Sequence, residues 1–460
     1  MSPSPVERAE HREPARTPAG PRGGLVFGSL PDLARDPLGL LVRSRAEFGD
    51  VVRFRYFGPF AWFLFAHPEH VDQILVAHHQ NFPLGVFGRL LDLVIPNGLV
   101  SADDAVWARQ RRLVQPAFHP AAIAGLADTI VGLTVEHLER WVESGRGGRA
   151  LDATRLMRRL SFDIGGRTLL GDDMLDAMDV IDNFVERALR RLDYRLRRPL
   201  SPLPFLPTPD ALRYRRAARR ADRALSKIVA HRRARPRESS DLLSMLLSSV
   251  DDDGRLMNDD DVRDQAKTLL ISSYETSGTL LGWLCYCLAE RPAIEARVRE
   301  EIRSVVGDRL PHVDDLPRLT YTKQVVEETL RLYPPVPWLG RQARRECTIG
   351  GYRVPARSVI CLSAYVTHRH PSYWDEPDTF DPDRFAPDAV KARPKGAYYP
   401  FGLGPRYCVG HGLAMMEALL VTAVVLPRWR FRLQPGAVVE PQLTATLRPR
   451  NGAFTLEPAP

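Results

Sequence analysis

The sequence predicts a mainly α-helical protein with a small β-rich lobe, and three observations carry that expectation. Apolar residues recur with a helical period over 121–247, a capped helical stretch runs from about 259 to 290, and the strand-like runs are few and short. Hydrophobic residues make up 44% of the 460-residue chain and charged residues 26%, a balance that excludes wholesale disorder. A chain of this length can bury a core that encloses a cofactor.

Taken in order, residues 1–23 are rich in Pro, Gly and charge and are expected to form a flexible arm ahead of one domain over 24–460. Residues 51–56 and 61–65 read as two strands around a turn at Gly58-Pro59. His67-Pro68 opens a short helix, because the fixed φ of proline suits a first helical position. Residues 82–99 are apolar and contain glycine, as a packed loop or the wall of a pocket would. A helix is expected from about Asp103 to Gln115, stopped by Pro116. Five prolines over 199–209 break the helical pattern that follows. Asp251-Asp252-Asp253-Gly254 reads as a turn, since its flanks lack the first acid and closing Glu of a calcium loop. Asn258 then caps the long helix, and Asp259, Asp260 and Asp261 suit its positive end. At 1.5 Å per residue that helix is a rod of roughly 45 to 50 Å. A helix over about 322–333 ends at Pro334-Pro335, and short strands follow near 348–354 and 359–362. A last helix over about 409–426 leads into a strand at 428–433.

The net charge is +8, with arginines clustered between Arg187 and Arg220. Amphipathic helices with solvated basic faces account for that cluster, and no zinc-finger, RNA-binding or zipper pattern accompanies it. No nucleic-acid partner is therefore expected, and nucleic-acid binding stays a remote alternative. Five cysteines in so long a chain make no disulfide framework. The N-terminus has no signal-peptide core and no run of about 18 apolar residues occurs, so neither export nor a membrane span is expected. A cytoplasmic protein with reduced thiols follows.

The segment with the strongest chemistry is Phe401-Gly402-Leu403-Gly404-Pro405-Arg406-Tyr407-Cys408-Val409-Gly410. Gly402 and Gly404 allow a tight turn against a flat ligand, Pro405 stiffens it, and Arg406 adds a cation. A helix starting near Cys408 aims amides and dipole at the sulfur and favours a thiolate. Glu328 and Arg331, three apart on a helix, share a face. In Ser272-Ser273-Tyr274-Glu275-Thr276-Ser277, mid-way along the long helix, the Thr276 hydroxyl can bond back to the carbonyl four residues earlier. Trp107 and Arg111, four apart, offer an indole N–H and a guanidinium to a common acceptor.

These segments resemble those of cytochrome P-450 enzymes. Every key position of the Phe-x-x-Gly-x-Arg-x-Cys-x-Gly loop is filled, and four motifs stand in the right order over roughly 29–447. The resemblance implies the cytochrome P-450 fold and a heme b (iron protoporphyrin IX) whose axial thiolate ligand is Cys408. Phe401 would shield the sulfur, Gly410 would leave room for the macrocycle, and Trp107, Arg111, Arg341 and Arg406 would meet its propionates. Glu328, Arg331 and Arg384 would form a buried structural network behind the cysteine loop. Thr276 and Glu275 would handle protons beside O2. The family's Ala/Gly-Gly-x-Asp/Glu-Thr-Thr pattern is altered here, with Ser272 and Ser273 for the small pair and Ser277 for the second Thr. Phe87, Tyr274, Val336, Trp338 and Thr446 would bound a pocket for a hydrophobic small molecule.

The implied activity is a monooxygenase of secondary metabolism acting on a terpenoid, fatty acyl or polyketide substrate. A non-oxygenating haem-thiolate reaction (isomerisation, dehydration or oxidative coupling) is the alternative. No glycine-rich nucleotide fingerprint and no iron–sulfur cysteine set is present, so electrons from NAD(P)H must arrive through a separate ferredoxin or flavodoxin with its reductase. Arg109 and Arg112 are expected on the cysteine side, where such an acidic donor docks. A monomer is expected.

Overall fold

The computed structural model describes residues 16–24, 27–55, 61–146, 149–197, 208–236, 241–251, 253–451 and 453–459. Three sequence expectations lie wholly or largely outside them: the start of the arm, the turn at Gly58-Pro59, and most of the proline-rich break.

The helical stretch resolves into Ala127–Ser144, Ala153–Leu170, Asp173–Arg197, Pro209–Ala234 and Leu242–Ser248. The long helix spans Asp259–Ala289, one residue from its expected end. Its cap forms as expected, with the Asn258 side chain accepting from the Asp261 amide at 2.8 Å. This helix packs along the Ala153–Leu170 helix through small residues. A Cβ on Gly278 would stand 2.7 Å from the Cα of Arg158. The next helices, Pro292–Val306 and Thr320–Leu332, stack beside it, and the last, His411–Val425, closes the core.

The β-rich lobe centres on a four-stranded sheet. Val51–Arg55 pairs antiparallel with Ala61–Phe65, which runs parallel to Val359–Leu362, and Leu339–Gln342 adds antiparallel to the last. That order brings residue 341 against residue 360 and sets the Arg341 strand at the sheet edge facing the cysteine loop.

One expectation needs correction. Residues 16–23 are not a free arm. The Arg16 amide donates to Gly351 and its carbonyl accepts from Arg353, while the Arg53 amide donates to Ala19. The open edges of two strands need hydrogen-bond partners, and this segment supplies them. The stretch Pro120–Ser144, though interrupted by charged residues, is long and apolar enough to cross a membrane by length and composition. It is a core element here: Ile130, Val131, Leu138 and Trp141 bury against the Ala153–Leu170 and His411–Val425 helices.

Candidate active site

The cysteine loop is built by main-chain bonds. The Gly402 amide donates to Tyr399, that of Tyr407 to Gly404, and that of Cys408 to Phe401 at 2.9 Å. Gly404 has φ +69°, and a Cβ there would meet the Leu75 carbonyl oxygen at 2.2 Å, so only glycine fits. The following helix begins at His411, three residues later than a helix starting at the cysteine. Cys408 therefore precedes the helix. Burial pushes its thiol up, while the amides of Gly410 and His411 and the Arg111 guanidinium pull the other way. By surface area Cys408 is exposed, yet protein surrounds it closely. A thiol on the floor of a cleft has both properties. The Phe401 ring stands edge-on to His411 at 4.8 Å. A Cβ on Gly410 would lie 4.0 Å from the sulfur, so its absence keeps that side of the thiol open.

Beside the loop is a cavity of about 310 Å³ lined by Trp107, Arg341, Arg406 and Asp103 among others. Arg406 lies 4.7 Å over the Trp107 ring and donates to Asp103 at 2.7 Å. Arg341 is 7% exposed, and its one hydrogen bond among the described residues goes to the neighbouring Gly340 carbonyl. Burial and the charge of Arg406 push its pKa down to about 10. The cavity lining thus holds three guanidiniums, Arg341, Arg344 and Arg406, against the carboxylates of Asp103 and Asp104, and the surplus cation suits an acidic group of a bound cofactor. Trp107 lies under Arg406 in this cavity. Arg111 turns to the Tyr407 carbonyl at 2.8 Å and to Gln115, on the thiol side of the loop. Arg109 is also diverted, to Asp251 and Asp261. Apart from Gln115, four residues on from Arg111, these partners lie on other elements, which local spacing does not encode.

On the long helix the Thr276 hydroxyl donates to the Ser272 carbonyl at 2.6 Å, as its position predicts. Glu275, 2% exposed, is held from three sides. Arg158 reaches it at 3.2 Å, Thr446 at 2.6 Å, and Arg448 makes a further short bond. Tyr274 faces the same cluster, taking a bond from Arg158 at 3.0 Å and meeting Phe162 edge-on. Tyr274 and Thr446, expected to bound the substrate pocket, line this polar cluster instead. Tyr274 is two residues from Thr276, and a helix turns about 200° in that interval. The added side chain of Ser273 is accommodated by a glycine on the facing helix: a Cβ on Gly165 would stand 2.4 Å from the Ser273 hydroxyl.

The remaining pocket expectations also separate. Phe87 lies over Gly340, where a Cβ would overlap its ring, and 6.2 Å from the Trp62 ring. Trp338 lines another cavity of about 880 Å³ with Leu30, Leu33, Tyr365 and Leu443. Val336 is 36% exposed at the surface.

Glu328 and Arg331 form a two-pronged pair at 2.6 and 2.8 Å with neither side chain exposed. Arg331 further donates to the carbonyls of His368, Pro377 and Thr379, and Arg384 stands 3.6 Å from Glu328. Sequence reasoning missed His368. Its Nε2 accepts from the Tyr399 amide, so its proton sits on Nδ1, which donates to the Arg331 carbonyl. Burial keeps it neutral by driving its pKa well down. His368 thus joins the Glu328–Arg331 pair to the first residues of the cysteine loop. No spacing signal marks it.

Glu417 was also missed. It projects from the His411–Val425 helix into the core, 3% exposed, and bonds Ser161 at 2.7 Å and Ser277. Burial pushes its carboxyl up to about 7. An unfolded glutamate titrates near ~4.3, so the folded chain binds this proton more tightly. The stabilisation is complete below the unfolded value and is lost as pH rises through about 7. Glu417→Gln cannot ionise and should flatten that fall by about 3 kcal/mol between about pH 5 and about pH 8. Parallel melting-versus-pH curves for the two proteins would contradict this assignment.

The family model described as Cytochrome P450 matches residues 18–456. Cyclooctat-9-en-7-ol 5-monooxygenase of Streptomyces melanosporofaciens is 34% identical, covering 95% of this chain and 95% of that protein. Pentalenene oxygenase of Streptomyces avermitilis is 32% identical, covering 92% and 93% respectively. Among solved structures, retinoic-acid-bound cyanobacterial CYP120A1 superposes with a TM-score of 0.85 at 25% identity, covering 96% of this chain and 100% of that one.

Proposed function

This chain belongs to the cytochrome P450 family, and from that premise we propose that it is a haem-thiolate monooxygenase of bacterial secondary metabolism acting on a terpenoid skeleton. The observation that carries the reading is Cys408, exposed by surface area yet closely surrounded, on the loop whose Arg406 lines a cavity together with Arg341. Cys408 would hold the haem iron as thiolate, Arg341, Arg406 and Trp107 its carboxylates, and Phe401 and Gly410 the surroundings of the sulfur. When bound, the haem supplies the centre at which O2 is split and one oxygen passes to the substrate.

The chain's own residues manage the proton. The Thr276 hydroxyl is parked on the Ser272 carbonyl and must rotate away to donate elsewhere. Glu275 can serve it only when Arg158, Arg448 or Thr446 lets go, so those contacts gate proton supply. Arg111, bonded to the Tyr407 carbonyl, adds positive charge beside the thiolate. Electrons come from NAD(P)H through a separate ferredoxin or flavodoxin and its reductase. The relatives named for cyclooctat-9-en-7-ol and pentalenene favour a cyclic, lipophilic substrate over a fatty acyl or polyketide chain.

The test is turnover of the holoenzyme with a ferredoxin–reductase pair, NAD(P)H and isotope-labelled O2. The panel should hold cyclic terpenes and terpene alcohols beside fatty acids and macrolactones. Terpenoid compounds should shift the ferric spin state and yield products carrying one labelled oxygen. Product without label would point to the non-oxygenating alternative, and label confined to fatty acids or macrolactones would remove the terpenoid assignment.

A further inference from the structure

The helix Pro209–Ala234 carries nine Lys and Arg against two Asp, a net +7 where the whole chain has +8. The surplus charge of the protein is therefore concentrated on one element. Arg213, Arg215, Arg216, Arg219, Arg220 and Arg223 are all exposed, with Lys227 one turn further. At 100° per residue they occupy an arc of about 160° and a length of about 21 Å, and neither Asp lies within that arc. None of the seven has a salt bridge or hydrogen bond among the described residues. The opposite face buries Ala217, Ala221, Leu225 and Val229. The helix therefore lies flush on the protein and presents its cations over the outward half of its surface.

Isolated solvated arginines need no explanation, but like charges packed this closely repel and lower stability unless an anion answers them. Six of the seven are arginine, whose planar fork matches phosphate oxygens. Leu212, 40% exposed, stands within the same arc and offers an apolar contact between the charges. A helix whose opposite face is buried on the protein cannot enter a nucleic-acid groove, which takes a protruding element.

We propose that the exposed face of the Pro209–Ala234 helix docks the enzyme reversibly on an anionic phospholipid surface, phosphate headgroups meeting the arginines and Leu212 entering the interface. The choice of lipid over an acidic protein rests on the lipophilic-substrate reading, since such compounds concentrate in bilayers. The docking itself is independent of catalysis and is tested without substrate.

Holoprotein should be co-sedimented with vesicles of phosphatidylcholine alone and of phosphatidylcholine containing phosphatidylglycerol. Binding should appear only with phosphatidylglycerol and fall steeply as salt is raised. The triple variant Arg213→Glu, Arg216→Glu, Arg220→Glu should lose affinity on the order of a hundredfold. Its reduced carbonyl spectrum should be unchanged, which certifies the fold. Equal binding to neutral vesicles, or undiminished binding by a folded triple variant, would overturn the proposal. So would wild-type protein that ignores both vesicles but binds duplex DNA or an acidic protein. Should the variant not fold, the lipid comparison and salt series on unaltered protein decide.

Discussion

Cys408→Ala should yield a folded protein whose reduced carbonyl adduct lacks the red-shifted thiolate absorption and whose turnover falls to background. The loop itself should survive, because its closing bonds are main-chain: the residue 408 amide to Phe401, that of Tyr407 to Gly404. What disappears is the sulfur, the one side chain here that can push electron density onto iron. The other four cysteines cannot replace it. Cys287 and Cys361 are buried, and burial pushes the thiols of Cys285, Cys287 and Cys361 up to about 12. Cys347 sits on a strand of a separate two-stranded sheet. A variant that keeps the wild-type carbonyl spectrum would end the haem-thiolate assignment for this residue.

Arg331→Met should be the most damaging substitution outside the loop. Glu328 would remain fully buried with its carboxylate answered only by the Asp381 amide and by Arg384 at 3.6 Å. The carbonyls of His368, Pro377 and Thr379 would lose a donor together. Breaking a buried pair from one side costs about 3–5 kcal/mol, a large part of the about 5–15 kcal/mol that holds a typical protein folded. Poor yield, a lowered melting temperature and weak haem retention are expected. Arg331→Lys keeps the charge but loses the fork, and should recover only part of the loss. Adding Glu328→Leu to Arg331→Met removes the stranded carboxylate and should restore stability relative to Arg331→Met alone. If Arg331→Met melts within a degree of wild type, the network does not support the loop.

The long helix was legible because three local signals agree there: the Asn258 cap, three following aspartates and the proline after its end. The helix after the cysteine loop was misjudged by three residues, since Val409 and Gly410 are apolar and small like the helix they precede. Trp338 lines a cavity while Phe87 packs on Gly340, and being large and apolar does not by itself separate those two placements in the sequence. The place of Tyr274 in the Glu275 cluster was not legible, because its helix has polar residues on more than one face and Arg158, from another helix, reaches both.

The sequence by itself determined the order of helices, the thiol proposed to hold iron, the glycines its loop requires and the threonine of the long helix. Each depends on residues within a few positions of one another. Tertiary structure alone decided that Glu275 is clasped by Arg158 and Arg448, that Arg406 takes Asp103 while Arg341 keeps a surplus charge, and that His368 ties the buried pair to the loop. Those contacts join groups far apart in the chain, and a charged side chain chooses its partner by where burial brings an opposite charge within reach.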